Sequence, residues 1–225
     1  MAEVKSAGIV LNSMPIGDYD RRIELLTGDL GKITVFARGA RKANSPFVAA
    51  SRAMAAGSFT LYQGKDSYNL KQAEISACFE EISNDYILSC YGFYFLELTQ
   101  YFAHENIESA DLLILLYRSL QALASQRFNN KFIRSIFEIK IVQQNGLCPS
   151  PERVLADKLL FPEFKDIKKA VWQAFDYIYR SEAKNVFNFL IPEEYFNELA
   201  SLSQKLIKNN TDKQFKTLSL LNDLL

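Results

Sequence analysis

Acidic residues are missing from Leu30 to Lys65. The chain has 225 residues and balances 26 basic against 26 acidic side chains. The gap therefore leaves Lys32, Arg38, Arg41, Lys42, Arg52 and Lys65 as a local field of one sign. Histidine is almost missing as well, with His104 alone. The three cysteines, Cys78, Cys90 and Cys148, have no paired spacing. A zinc site needs four ligands, so no metal and no other cofactor is expected. An odd number of unpaired thiols suits a reducing cytoplasm. No apolar run reaches the ~20 residues of a membrane span. The segment Met1 to Lys5 has no apolar core of signal-peptide type, so a cytoplasmic location is expected. Glycines with a following Gly-Lys-Ser/Thr, GxSxG and HExxH are all absent. Glu80-Glu81 and Glu193-Glu194 fall at linkers or helix starts, where solvent and helix dipoles account for them. These absences describe a binding protein and not an enzyme.

What is present is a change of period. Residues 1–80 hold ten Lys/Arg and eight Asp/Glu, and 81–225 hold sixteen and eighteen, so bulk charge argues for nothing. Pattern argues for more. Ala7 to Ser13, Arg21 to Thr27, Lys32 to Arg38, Ser58 to Tyr62 and Tyr68 to Ile75 read as strands. Met14 to Asp18 and Gly28 to Gly31 read as the turns between them. Five short strands in some 75 residues suit a small barrel of the oligonucleotide-binding type, and an SH3-like barrel fits nearly as well. In Lys32 to Arg38, Ile33, Val35 and Ala37 share one face, while Lys32, Thr34, Phe36 and Arg38 share the other. Cations beside an outward ring are the components of a single-strand nucleic-acid platform. The candidate phosphate contacts are Lys32, Arg38, Arg41, Lys42 and Arg52, and the candidate stacking rings are Phe36 and Tyr62. The alternatives are a solvated hairpin with a basic loop, and rings packed under a loop or at an interdomain seam.

From about residue 81 the period becomes 3.6. A helix capped by Asn84 is expected to carry Ile87, Cys90, Tyr91, Tyr94, Leu98, Tyr101 and Phe102. Its aromatic stripe reads as core. Further helices are expected over Ala110 to Ser125 with Ser109 as cap, over Lys131 to Gln144, from Asp166, from Pro192 and over Asp212 to Leu225. The stretch from about 146 to 165 reads as irregular. The expected architecture is α+β with two domains, a small OB-like β-barrel over 1–80 and an all-α domain over 81–225.

The order Gly8-Ile9-Val10-Leu11, Asp20, Leu25-Leu26-Thr27, Gly31, then Ala37-Arg38-Gly39-Ala40-Arg41-Lys42 and Ser45, resembles the N-terminal domain of the RecO family of bacterial DNA-repair proteins. Leu120-Gln121-Ala122-Leu123 and Phe137-Glu138-Ile139-Lys140, with Gly146 and Pro149, resemble its helical domain. Phe215-Lys216-Thr217-Leu218 resembles its C-terminal motif less closely. The resemblance implies a nucleoid-associated recombination mediator. Such a protein binds single- and double-stranded DNA, anneals complementary strands, and helps load the recombinase on strands coated by single-strand-binding protein (SSB). Its implied partners are RecR, RecF in some cases, and the C-terminal tail of SSB. Many members carry a four-cysteine zinc module after the Gly…Pro turn. Here Cys148 stands alone in that region, and no metal is expected.

The SSB tail is acidic and ends in a hydrophobic residue with a free carboxylate, so its receptor needs an apolar pocket rimmed by cations. The resemblance places that receptor on the helical domain, and Arg134, Ile136 and Lys140 are the candidate residues. The alternative is that Arg134 pairs with Glu138, four residues on, and that Lys140 is solvated. Two rival functions also remain open. One is an RNA-binding barrel, and the other is a protein–protein adaptor with no nucleic-acid activity of its own.

Overall fold

Alternation along the first 77 residues builds a closed sheet. The computed structural model describes residues 2–157 and 159–224, with side chains as far as 221. Five strands, β1 (Glu3–Ile16), β2 (Asp20–Thr27), β3 (Gly31–Ala37), β4 (Ala56–Gln63) and β5 (Tyr68–Ala77), close in the order β1-β2-β3-β5-β4. All pairs are antiparallel except β3 with β5, a short parallel contact at Val35–Tyr68 and Phe36–Asn69. This is the five-stranded oligonucleotide-binding architecture, which strand count alone did not separate from an SH3-like barrel. Val10, Ile23, Leu25, Val35, Phe59 and Leu61 fill the interior. Phe47 from the loop after β3 packs against the same core. The expected strands are all present. β1 runs further than expected, because Met14 to Ile16, read as turn, stay paired with Asp20 to Arg22.

Among the described residues eight α-helices follow, α1 (Glu80–Ser83), α2 (Tyr86–Phe102), α3 (Ala110–Ser125), α4 (Asn130–Gln144), α5 (Pro151–Ala156), α6 (Lys169–Arg180), α7 (Phe196–Asn210) and α8 (Lys216–Leu224). The cap of α2 is Asp85 and not Asn84, its carboxylate accepting from Leu88 N at 2.8 Å. Ser109 opens α3 through its carbonyl, while its hydroxyl donates to Ile107 O. Asn129 caps α4. The stretch expected to be irregular holds α5, which Ser150 caps and Pro151 begins. Asp166 does not open α6. It sits at φ 61° and the helix starts at Lys169. Glu193–Tyr195 form a 3-10 turn ahead of α7. Of the expected C-terminal helix, Leu225 lies outside the described residues. No helix among the described residues is long and apolar enough to cross a membrane.

The chain divides into two compact units, Met1–Leu113 and Ile114–Leu225. The secondary structure changes at about residue 80, yet the first unit runs on past α2. Two contacts explain this. Gly92 lets α2 approach the barrel, since a Cβ there would lie 2.7 Å from Met54 Cε. The β2–β3 turn is also stitched to the segment after α2. Lys32 N donates to His104 O at 3.0 Å, Asn106 N to Leu30 O at 3.1 Å and Ser109 N to Gly28 O at 2.7 Å.

Gly31 sits in that seam at φ +67°, and an added Cβ would meet His104 O and Ile107 O, each at 2.5 Å. Gly31→Ala combines a left-handed backbone with two carbonyl clashes. It is expected to destabilise the protein by at least ~2 kcal/mol, read as a lowered midpoint in chemical denaturation.

Candidate nucleic-acid interface

The barrel register lines up five outward side chains. Met14 on β1 lies opposite Arg22 on β2, Arg22 opposite Phe36 on β3, Phe36 opposite Asn69 on β5, and Asn69 opposite Tyr62 on β4. Their chain neighbours Ile23, Val35, Tyr68 and Leu61 are buried in the barrel. The row itself must therefore face outward. Strands lie about 4.8 Å apart, which separates Phe36 and Tyr62 by roughly 10 Å across β5. At that spacing the two rings do not stack on each other. The Arg22 guanidinium donates to Thr34 Oγ1 at 3.4 Å on the same outer face. At the far end Lys71 lies 5.1 Å from the Tyr62 ring and pairs with Glu3. Its hydrogen bond to Glu3, and then Tyr62, raise the Lys71 pKa and keep the ammonium charged.

The loop after β3 is buckled onto the β1–β2 turn. Gly39 N donates to Asp20 Oδ1 at 2.7 Å, and Arg41 N donates to Tyr19 O at 2.8 Å. The Arg41 guanidinium donates to Gly17 O at 3.0 Å, and Lys42 Nζ lies 5.4 Å from the Tyr19 ring. Arg38, Arg41 and Lys42 all stay exposed beside the β3 end of the row. Arg52 is exposed at the other end of the loop, leading into β4. Lys32 departs from the expectation. Its ammonium donates to Gln100 O at 2.8 Å, at the C-terminal end of α2. Unsatisfied carbonyls and the negative dipole end attract a cation there, so Lys32 ties the helix to the barrel. Arg22 and Met14 were missed because they lie outside the acid-free window. The alternation of β2 around Ile23 and Leu25 already placed Arg22 outward.

In the helical unit the expected receptor stretch is corrected. Ile136 is 0% exposed, Lys140 4% and Arg134 5%. α4 is buried without a break from Phe132 to Val142, so Ile136 and Lys140 form no solvent-facing i,i+4 pair. Lys140 is not solvated either. It donates to the carbonyls of Tyr179 and Ser181 at the end of α6. Arg134 Nε bonds Glu138 Oε1 at 2.7 Å, the pairing weighed as the alternative, and Ser203 on α7 donates to Glu138 Oε2 at 2.5 Å. Burial makes this a structural network. A cleft of about 410 Å³ lies in the same unit, lined by Arg134, Ile207, Lys208, Lys213, Phe215 and Leu218 among others. Arg134 thus borders a cleft whose wall mixes apolar side chains and cations with the acids Glu138 and Asp212, while Ile136 and Lys140 do not line it.

The chain does not fit the zinc that the cysteine module of relatives implies. Between Pro149 and Phe164 there is no cysteine or histidine. No three His, Cys, Asp or Glu side chains cluster for a metal among the described residues. The Cys148 thiol is pushed up to about 12, first by burial and then by Glu163, with Lys140 opposing. That disfavours the thiolate a metal would bind.

Two family models match the chain. The recombination protein O N-terminal model covers residues 1–79, and the recombination protein O C-terminal model covers 83–153. The chain belongs to the RecO family. It is similar to the DNA repair protein RecO of Acetivibrio thermocellus, 26% identical over 100% of this chain and 98% of the relative. The DNA repair protein RecO of Clostridium acetobutylicum is 24% identical over 99% and 98%, and that of Clostridium novyi 22% over 98% and 94%. The matched RecO N-terminal region is the barrel that carries the outward row. The matched C-terminal region ends within α5, so α6, α7 and the part of the cleft wall from Gln204 to Ser219 lie beyond it, while Arg134 and Glu138 of that wall lie within it.

Lys140→Met removes a buried cation from two carbonyls. It is expected to cost about 2–4 kcal/mol of stability in chemical denaturation. Cys148 gives a pH signature. Its folded pKa is raised, so its stabilising effect is fully present below about pH 9, the ordinary thiol value, and is lost as the pH rises toward about 12. Within that window stability should fall by about 1.4 kcal/mol per pH unit more than in Cys148→Ala. Parallel denaturation of the two proteins from pH 8 upward checks this.

Proposed function

We propose that this RecO-family DNA repair protein is a recombination mediator without covalent chemistry of its own. It binds single- and double-stranded DNA through the outer face of the barrel and anneals complementary strands. It helps load the recombinase on SSB-coated single strands, with RecR, and RecF in some settings, as partners. The observation that carries the reading is the outward row, where Arg22, Phe36, Asn69 and Tyr62 alternate charge, ring, amide and ring across four strands. Every base has a face for stacking, so such a row accepts any sequence, which annealing of arbitrary strands requires. The exposed Arg38, Arg41 and Lys42 supply phosphate contacts beside it. The SSB tail would be received by the helical-unit cleft, where Ile207, Phe215 and Leu218 suit its apolar end and Lys208 and Lys213 its acids.

Annealing of complementary oligonucleotides, bare and SSB-coated, tests the reading. Phe36→Ala and Tyr62→Ala should each weaken single-strand binding by about 1–3 kcal/mol. Arg41→Ala with Lys42→Ala should lower the salt slope of binding by roughly one to two. Lys208→Glu should spare annealing of bare strands, slow annealing of coated strands and weaken binding of a tail peptide. Tighter binding of RNA than of DNA of equal length would favour the RNA reading. Binding insensitive to salt would favour the adaptor.

A further inference from the structure

The β1–β2 hairpin continues beyond the part of the barrel that β4 closes. β4 pairs with β1 from Glu3 to Ile9, and Met54 and Ala55 extend the bonding to Val10. From Asn12 to Ile16, β1 pairs with β2 alone among the described residues. This end is a ribbon with one open edge. Pro15 lies on it and offers no N–H, which blunts addition of another strand. Met14 and Ile16 are two apart and share the outer face, and each is 43% exposed. Tyr19, in the turn, is 57% exposed. Side chains so exposed add little to the core. An apolar pair at a ribbon end instead presents a surface to something outside.

The surroundings restrict what that is. Met14 lies directly opposite Arg22, the first cation of the outward row. Arg41 and Lys42 are fastened to the turn at Gly17 and Tyr19. Of the two acids at the tip, Asp20 is engaged by Gly39 N, which leaves Asp18 as the exposed one. Cations around an apolar tip fit a partner that is a polyanion outside and apolar on its faces. A nucleic-acid base step has both properties, and Met, Ile and Pro are side chains that proteins wedge against such steps.

We propose that Met14 and Ile16 form a wedge that packs against the terminal base pair of a duplex where a single strand leaves it, with that strand led past Arg22 to Phe36. The proposal rests on the barrel being a DNA-binding surface and adds the form of DNA it recognises. A partly annealed product has such a junction at each advancing end. A wedge there would hold the last pair while the unpaired strand is kept unstacked on the row.

The test uses the full chain and a duplex with a single-stranded tail, carrying a fluorescent adenine analogue at the terminal pair. Single strand, blunt duplex and tailed duplex of equal length are compared by fluorescence anisotropy. Wild type should bind the tailed duplex several-fold more tightly than either other form and should raise the analogue's emission as the terminal pair unstacks. The double variant Met14→Ser, Ile16→Ser should lose the preference and the emission change and keep its thermal midpoint, and Ile16→Ser alone, outside the row, should weaken the preference and keep its single-strand affinity. Absence of both preference and emission change in wild type overturns the wedge while leaving DNA binding intact. A variant that unstacks the pair as well as wild type also overturns it. If wild type binds none of the three DNAs, the DNA-binding reading itself fails. If the ribbon is instead a contact between two copies, sedimentation will show self-association of wild type that the variant abolishes, and the wedge is overturned.

Discussion

Closure of the five-stranded sheet decides which half of each strand meets water. A closed barrel has one interior, and only apolar side chains fill it without leaving unsatisfied polar groups. With Ile23, Val35, Leu61 and Tyr68 committed inward, the period of two forces Arg22, Phe36, Tyr62 and Asn69 outward. The short parallel contact between β3 and β5 then fixes them in one line. A one-residue slip of β3 in that contact would turn Phe36 into the core and bring Val35 to the surface. The outward row is thus a by-product of packing, which places the rings more rigidly than a loop could.

Two lysines show how far local charge misleads. Lys32 belongs to the acid-free window, and Lys140 stands in a family-like motif. The ammonium of each reaches the end of another helix, Lys32 meeting Gln100 O and Lys140 the carbonyls of Tyr179 and Ser181. The last turn of a helix leaves carbonyls without partners, and a lysine stem long enough to reach them can satisfy them from a distant part of the chain. For Lys32 the sequence separation is 68 residues, and for Lys140 it is 39 and 41. No window of sequence contains both donor and acceptor, so a cation's surroundings cannot be judged from its immediate neighbours.

The same distinction separates what was legible from what was not. Strands came through because alternation around Ile23, Val35 and Leu61 is a local signal of a half-buried surface. The outward direction of Phe36 and Tyr62 followed from it. Their alignment did not, since it depends on pairings between β3, β5 and β4 that only the closed sheet specifies. Met14 to Ile16 read as turn because Pro15 and Gly17 are turn residues, yet pairing with β2 holds them in a strand. α4 misled in the opposite direction. Arg134, Glu138 and Lys140 look like a polar face, but all three are buried: Arg134 pairs with Glu138, Glu138 accepts from Ser203, and Lys140 donates to the end of α6.

That buried network bears on how the helical unit could respond to an acidic partner. Glu138 takes Arg134 on one oxygen and Ser203 on the other. The carboxylate is held by α4 and by α7 together, and α7 also supplies Ile207 and Lys208 to the cleft wall. Arg134 and Glu138 both line the cleft, so the ion pair is itself part of the wall. Breaking a buried ion pair by removing one partner is costly because the remaining charge is stranded. An acidic ligand in the cleft would gain by sharing the Arg134 guanidinium without taking it from Glu138. Five N–H donors in a planar fork permit such sharing, which the compact ammonium of a lysine would not support in the same geometry. The pairing that argues against Arg134 as a mobile surface cation is therefore what would hold it ready as a fixed one.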